Sequence, residues 1–172
     1  RLFRSKKWYW GLDLMSLLKQ RTLFDDHLQP HSEIIQKTST EGDPFLNLVL
    51  LWAVINYVPL RQFKKDELHI LFHEDVSLKP QKEISEVLKF AGRTGINLNT
   101  EKFDRAFITP SWVSGKDSNI KKGNSTIDPW KQELSSKQIM EGEKILEHFN
   151  LHNLYNQDGL PDHMALKSFL KI

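Results

Sequence analysis

Apolar residues recur at helical spacing in several segments of the chain, and polar, turn-rich stretches separate these segments. In the clearest case Ile84, Val87, Leu88 and Ala91 follow one another at i, i+3, i+4 and i+7, which predicts an amphipathic helix over 81–90. Gly92 comes next, and glycine most readily takes the left-handed conformation that ends a helix. Periodicity and capping residues predict further helices over 13–19, 44–59, 101–107 and 135–149.

The segment after Asp43 is the most apolar part of the chain. Asp43 is a good N-cap, and Pro44 suits the first helical position because its missing N–H has no partner there. The residues that follow are apolar nearly all round, which predicts a helix that is buried on most sides. Asn47 and Asn56 interrupt the apolar run and Pro59 ends it. A membrane span needs about 18 consecutive apolar residues, so we interpret this segment as a core helix.

Only the run 68–72, LHILF, predicts a strand. It is short and apolar, as expected for a strand that is covered on both faces. It stops at His73, Glu74 and Asp75, and the Lys79-Pro80 turn follows before the next helix. Because one strand alone has no backbone partner, we expect it to pair with another chain or with strands that this sequence does not contain.

Two polar stretches predict loops. Residues 29–43 are rich in polar and turn-forming side chains, and residues 110–130 contain Ser, Lys, Gly and Asn without an apolar period. A long loop inside a compact domain is often functional. The second loop is therefore a place to look for ligand contacts.

Composition narrows the classes of protein that remain. The chain has 172 residues, which fits a single domain, and its net charge of +2 does not favour nucleic acid as a partner. It contains no cysteine, which excludes disulfides, thiolate zinc sites and a cysteine nucleophile. Its seven histidines show no spacing typical of metal ligands on a helix, so we predict no metal site. A cysteine-free chain is compatible with the reducing cytoplasm, where we expect the protein.

Two short motifs have the chemistry to bind a ligand. The HED motif at 73–75 ends the predicted strand, and ligands of open α/β sheets bind at such strand ends. The alternative to a ligand site is that these residues are only the polar end of a buried strand. The KKG motif at 121–123 offers two ammonium groups beside a glycine that lets backbone N–H groups approach a phosphate; the alternative is a solvated lysine pair. Trp112 and Trp130 flank this loop and either stack on a base or anchor the loop. The sequence contains neither a glycine-rich phosphate loop nor a nucleophile elbow.

Read in order, these motifs resemble the C-terminal half of the bacterial-type sulfotransferases that use 3′-phosphoadenosine 5′-phosphosulfate (PAPS). In one unit of this family a strand ends in Phe-Tyr-Glu-Asp, a Lys-Pro or Asp-Pro turn follows, and a helix then ends in Phe-x-Gly. This chain has LFHED, SLKP and a predicted helix ending in Phe-x-Gly in the same order, and these resemble that unit. Downstream, ITPSW, IKKG and DPWKQEL resemble the family's Thr-Ser-Phe element, Arg-Lys-Gly loop and Trp-Lys pair. The run LSSKQIMEGEKILEHFNLHNLY resembles the terminal helix of bacterial members.

The resemblance implies a fold, a reaction and a set of binding residues. The fold would be an α/β P-loop-like sulfotransferase fold, of which this chain would supply a mostly helical part with one or two parallel strands. The reaction would be sulfuryl transfer from PAPS to a hydroxyl or amine of a small-molecule or glycan acceptor. His73 stands where the family has a tyrosine that contacts adenine, and Ser111-Trp112 match the pair whose ring packs on adenine. The 3′-phosphate would be held by Lys121, Lys122 and Gly123.

The resemblance covers residues 1–172 as the C-terminal portion of one domain. The phosphosulfate loop and the catalytic acid or base would lie in an N-terminal half, so we expect the chain to be a truncated form that is inactive alone, and no catalytic residue is identified. Two alternatives remain at this point. One is a non-catalytic helical protein-interaction module, and the other is a nucleotide phosphotransferase of the P-loop fold.

Overall fold

The computed structural model describes residues 13–64, 67–92 and 130–170, and these residues belong to two compact units. The first unit takes its described residues from 1–62 and 135–152, and the second takes them from 63–134 and 153–172. Helical residues make up 74% of the described part, and no strand occurs in it. The prediction of a P-loop-like α/β sheet with one or two parallel strands is therefore wrong. The described part of the chain is helical.

The described helices range from a single turn to five turns. In chain order they are α1 (Met15–Leu18), α2 (Arg21–Leu23), α3 (Ser32–Glu41), α4 (Pro44–Gln62), α5 (His73–Leu78), α6 (Pro80–Phe90), α7 (Trp130–Glu133), α8 (Ser136–His148) and α9 (His163–Phe169). A π-helical turn at Phe24–Leu28 and a 3-10 turn at Gln29–His31 lead into α3, and a second 3-10 turn at His152–Leu154 follows α8. The predicted helix over 101–107 lies outside the described residues.

Helix α4 begins where the sequence predicts. Oδ1 of Asp43 accepts hydrogen bonds from the N–H groups of Phe45 and Leu46, at 2.7 and 3.2 Å. This satisfies two of the backbone donors that every helix leaves without a partner in its first turn. The predicted end at Pro59 is wrong, because the helix continues through the proline to Gln62.

Burial of α4 is one-sided rather than general. The buried residues, Leu46, Leu50, Ala53 and Val54, form a single stripe, whereas most other side chains of α4 are partly exposed and Ile55 is 56% exposed. Among the described helices α4 alone is long and apolar enough to cross a membrane, a test that core helices of soluble proteins also pass. The prediction of a helix buried on most sides is therefore wrong.

Helix α8 packs against α4 in the first unit and confirms its predicted position. Its N-terminus is a capping box: the Ser135 hydroxyl accepts the N–H of Gln138, and the Gln138 side chain accepts the N–H of Ser135. Gly142 lies on the α4 side, where a Cβ added to the glycine would fall 3.6 Å from Cε1 of Phe45. The helix ends at His148, and Asn150 follows in the left-handed region with φ +58°.

The predicted loop over 29–43 is wrong, since most of it is helix α3. The buried residues here are Leu28, His31, Ile35 and Thr38, and their spacing of i, i+3, i+7 and i+10 is helical. Two of the four are polar, so a count of apolar residues does not reveal the stripe. Helix α3 ends at Gly42, whose φ of +71° suits glycine.

In the second unit the run 68–72 is not a strand. Phe72 has extended backbone dihedrals and is buried, but its neighbour Leu71 is 46% exposed. A strand covered on both faces would hide both residues, and no described segment pairs with this run. An extended segment becomes a stable strand only through ladder hydrogen bonds with a neighbour. The run instead leads directly into α5 at His73.

Helix α6 and the C-terminal segment complete the second unit. Helix α6 begins at Pro80, and Gly92 follows it with φ +71°, as the sequence predicts. At the C-terminal end, Tyr155 and Pro161 form an isolated antiparallel bridge around a tight turn. Gly159 in that turn has φ +75° and lies under the indole of Trp130. Of the two interpretations of Trp130, this contact favours an anchor.

Candidate functional site

His73 is the one predicted site residue that the structure describes. Ser111, Trp112 and the KKG motif at 121–123 lie outside the described residues, so their predicted roles stay predictions. His73 is the first residue of α5 and is exposed. The preceding residue, Phe72, is buried and has an extended backbone. The chain therefore changes from extended to helical at His73, the residue for which the resemblance implies an adenine contact.

The first turn of α5 carries two acidic residues, Glu74 and Asp75. Carboxylates at this position interact favourably with the N-terminal end of the helix dipole. No described side chain caps this helix end, and Val76 is its only buried residue. A six-residue helix is far below the length at which helices are stable alone. The position of α5 therefore depends on its tertiary contacts.

Glu74 contacts the C-terminal segment through Tyr155. The Tyr155 hydroxyl donates to Oε2 of Glu74 over 3.4 Å, which is long for an O–H···O bond. Burial raises the pKa of Tyr155 well above its usual value, and the charge of Glu74, its hydrogen bond and the charge of Asp75 raise it further. Tyr155 therefore keeps its proton throughout the neutral range and can act as the donor.

Asp75 contacts the same segment through His163. Its Oδ2 is buried and lies 3.0 Å from Nε2 of His163, whose side chain is 57% exposed. No donor in the described part is aligned with this oxygen for a hydrogen bond, so the contact is an ion pair when the imidazole is protonated. Asp162 caps α9 by accepting the N–H groups of Met164 and Ala165, both at 2.9 Å. This cap fixes the helix turn that carries His163.

The ring of Phe72 packs between the two contacting residues. It stands edge-on to Tyr155 with ring centroids 5.5 Å apart, and edge-on to His163 at 5.7 Å. Edge-to-face arrangements of this kind are the favoured geometry for aromatic pairs. The residues directly before and after His73 are thus held by one partner segment. We call the set Phe72, Glu74, Asp75, Tyr155 and His163 the α5 anchor.

The LFHED motif contains three of the five residues of this anchor, Phe72, Glu74 and Asp75. From the sequence alone, the two carboxylates are interpreted as part of a ligand-binding strand end or as the polar end of a buried strand. The structure pairs them with side chains far along the chain, Glu74 with a tyrosine 81 residues away. Tyr155 and His163 carry no local signal of this role. Among the described residues no three His, Cys, Asp or Glu side chains form a group that could hold a metal ion.

A second set of aromatic and imidazole rings lies in the first unit. His31 is 7% exposed and stacks on Phe149, with ring centroids 4.3 Å apart. The rings of Tyr57 and His148 stand edge-on to it at 4.7 and 5.1 Å. Both ring nitrogens of His31 are buried and have no hydrogen-bond partner in the described part. His31 is buried among these rings, so it has the character of a core residue.

Comparison with known proteins yields no match: no protein-family model, no curated protein and no solved structure is significantly similar to this chain.

Proposed function

We propose that the chain belongs to a PAPS-dependent sulfotransferase and supplies the adenine and 3′-phosphate side of its nucleotide site. The observation that carries the proposal is the order of five motifs along the chain: LFHED, Lys-Pro, a helix ending before Gly92, ITPSW and IKKG. Each motif is short, and their succession in the family's order is the specific feature. The α/β sheet is no part of the proposal, because the described residues are helical.

The turn and the helix of the described motifs support this proposal, whereas the strand that precedes them in the family's unit is not formed here, because HED begins α5. Lys79-Pro80 separates α5 from α6, Pro80 is the first residue of α6, and Gly92 follows that helix in the left-handed conformation. The turn and the helix thus have the bounds that the resemblance implies. His73 is exposed at the start of α5, where its imidazole is accessible to a purine ring.

The proposed reaction is an in-line transfer of the sulfuryl group. The acceptor oxygen or nitrogen forms a bond to sulfur while the bond from sulfur to the 5′-phosphate oxygen breaks, and 3′-phosphoadenosine 5′-phosphate (PAP) leaves. In such transfers positioning and charge stabilisation supply most of the rate enhancement. His73, Ser111 and Trp112 would hold the adenine, and Lys121, Lys122 and Gly123 would hold the 3′-phosphate.

The test is calorimetric titration of the chain with PAP and with 5′-AMP, which lacks the 3′-phosphate. We expect PAP to bind more tightly, and Lys122→Ala to remove most of the difference. A charge-assisted contact is worth about 1.5–3 kcal/mol, so the loss should be roughly 10- to 150-fold in affinity for PAP. Lys144→Ala is the matched control, because Lys144 is an exposed lysine of α8 and should leave both affinities unchanged. Equal affinities for PAP and 5′-AMP in the unmodified chain would contradict the proposal.

A second candidate is a non-catalytic helical protein-interaction module. One observation favours it: α4 is predominantly apolar, yet it buries only one stripe and leaves Ile55 56% exposed. This candidate predicts that PAP does not bind and that Ile55→Lys weakens self-association without lowering the free energy of unfolding. Sedimentation of both chains over a range of concentrations measures the association. A monomer at every concentration would remove self-association as the function of this face.

A further inference from the structure

The helix that carries His73 is held in place by residues of the C-terminal segment. Tyr155 contacts Glu74 at 3.4 Å, and His163 lies 3.0 Å from Asp75. The side chain of Asp75 is 15% exposed, and a carboxylate buried to this extent needs a charged or donating partner. His73 precedes both acidic residues directly in sequence. A shift of α5 at these contacts would therefore move His73.

We propose that Tyr155 and His163 are positioning residues for nucleotide binding, which hold α5 so that His73 faces the adenine. The proposal rests on the proposed function, because it requires that His73 contacts adenine. It assigns a role to Tyr155, the last residue of the run that resembles the family's terminal helix, and to His163, which lies in none of the motifs. It also explains why two carboxylates come directly after His73: Glu74 and Asp75 are the residues of α5 that the C-terminal segment contacts.

The ring of Phe72 strengthens this assignment. It packs edge-on against both Tyr155 and His163, so the segment is fixed on the N-terminal side of His73 as well as on the C-terminal side. A residue fixed on both sides has little backbone freedom. Such preorganisation lowers the conformational entropy that ligand binding must otherwise remove.

The first experiment separates base recognition from phosphate recognition. PAP is compared with 3′-phosphouridine 5′-phosphate, which keeps both phosphates and changes the base, and with 5′-AMP, which keeps the base. We expect Tyr155→Phe and His163→Gln each to reduce the preference for adenine over uracil by roughly 2- to 10-fold, the effect of losing one contact. The preference for PAP over 5′-AMP should be unchanged. A variant that merely loosened the fold would lower all three affinities together. His152→Gln is the control, because His152 is exposed and outside the α5 anchor.

The second experiment is a double-mutant cycle with His73→Ala. If Tyr155 and His163 act through His73, then Tyr155→Phe and His163→Gln should have no further effect on PAP affinity once His73 is alanine. Tyr155→Phe removes a single oxygen, and far-UV circular dichroism of each variant verifies that its helices are retained. Additive effects in the cycle, or an unchanged adenine preference in both variants, would overturn the inference and leave the proposed function standing. No preference for PAP over 5′-AMP in the unmodified chain would remove the proposed function, and this inference with it.

Discussion

Acidification should destabilise the first unit, because His31 must take up a proton while it is buried among aromatic and imidazole rings. Burial lowers the pKa of His31 to about 4, and the charge of His148 acts in the same direction. Among the described residues, the groups that face the imidazole are the rings of Tyr57, His148 and Phe149. None of them is an anion that could stabilise the imidazolium. The neutral imidazole is therefore the form that the folded protein accepts.

The sign and size of the effect follow from proton linkage. The ordinary pKa of histidine is near 6.5, and the folded value is about 4, so between these values the unfolded chain binds more protons than the folded one. Stability from this residue is fully present above pH 6.5 and is lost as the pH falls towards 4. Relative to pH 8, the loss is about 2 kcal/mol at pH 5 and about 3 kcal/mol at pH 4. That is a large share of the ~5–15 kcal/mol that stabilises a typical protein.

The assay is urea unfolding at several pH values between 8 and 4, followed by far-UV circular dichroism. The variant is His31→Phe, which keeps an aromatic ring for stacking on Phe149 and removes the ionisable group. Its stability should change less with pH than that of the unmodified chain, by about 2 kcal/mol between pH 8 and pH 5. His152→Phe is the control, because His152 is exposed. It should retain the pH dependence of the unmodified chain.

Two results would refute this reasoning. One is an NMR titration in which the ring protons of His31 change with a midpoint at or above pH 6.5. The other is a His31→Phe chain whose stability falls between pH 8 and pH 4 as steeply as that of the unmodified chain. Either result would mean that the folded protein accommodates the imidazolium at this site.

Glycine substitutions should move stability in opposite directions. Gly142→Ala should stabilise the chain by about 0.5–1 kcal/mol in urea unfolding, because alanine is the better helix former. Its Cβ would lie 3.6 Å from Phe45, which is an ordinary van der Waals contact. A loss of stability would show that α4 and α8 cannot accept the methyl group. Gly159→Ala should destabilise by about 1–3 kcal/mol, because φ is +75° and the Cβ would lie 3.0 Å from Nε1 of Trp130. Gly92→Ala is its matched comparison, with φ +71° and no atom of the described residues within 4 Å of the added Cβ, and should lose only the ~1 kcal/mol of backbone strain. Equal losses at the two sites would mean that the indole moves aside without resistance.

Three helix ends were predictable because their causes are local, whereas the predicted end of α4 at Pro59 was wrong. Asp43 caps α4, Gly92 follows α6 in the left-handed conformation, and α8 starts at the Ser135 and Gln138 capping box. In each case the residue that determines the boundary lies within four positions of it. Hydrogen bonds over such short separations require no knowledge of the rest of the chain.

Predictions failed where the deciding partner is distant in sequence. LHILF has the composition of a buried strand, but a strand exists only if a neighbouring segment pairs with its backbone, and no described segment does. Helix α3 was missed because tertiary packing buries His31 and Thr38 together with Leu28 and Ile35. Local polarity gives no indication of that burial. In the same way, the apolar composition of α4 does not reveal which of its sides is covered.

The candidate site also has features that are local in sequence and contacts that depend on tertiary packing. The sequence by itself determined the HED motif, its position before a Lys-Pro turn and a helix, and the resemblance that points to adenine at His73. Only the tertiary structure decided that Glu74 and Asp75 meet Tyr155 and His163. The physical reason is that a contact between side chains so far apart in the chain depends on how the whole unit packs. No local preference of either residue specifies it.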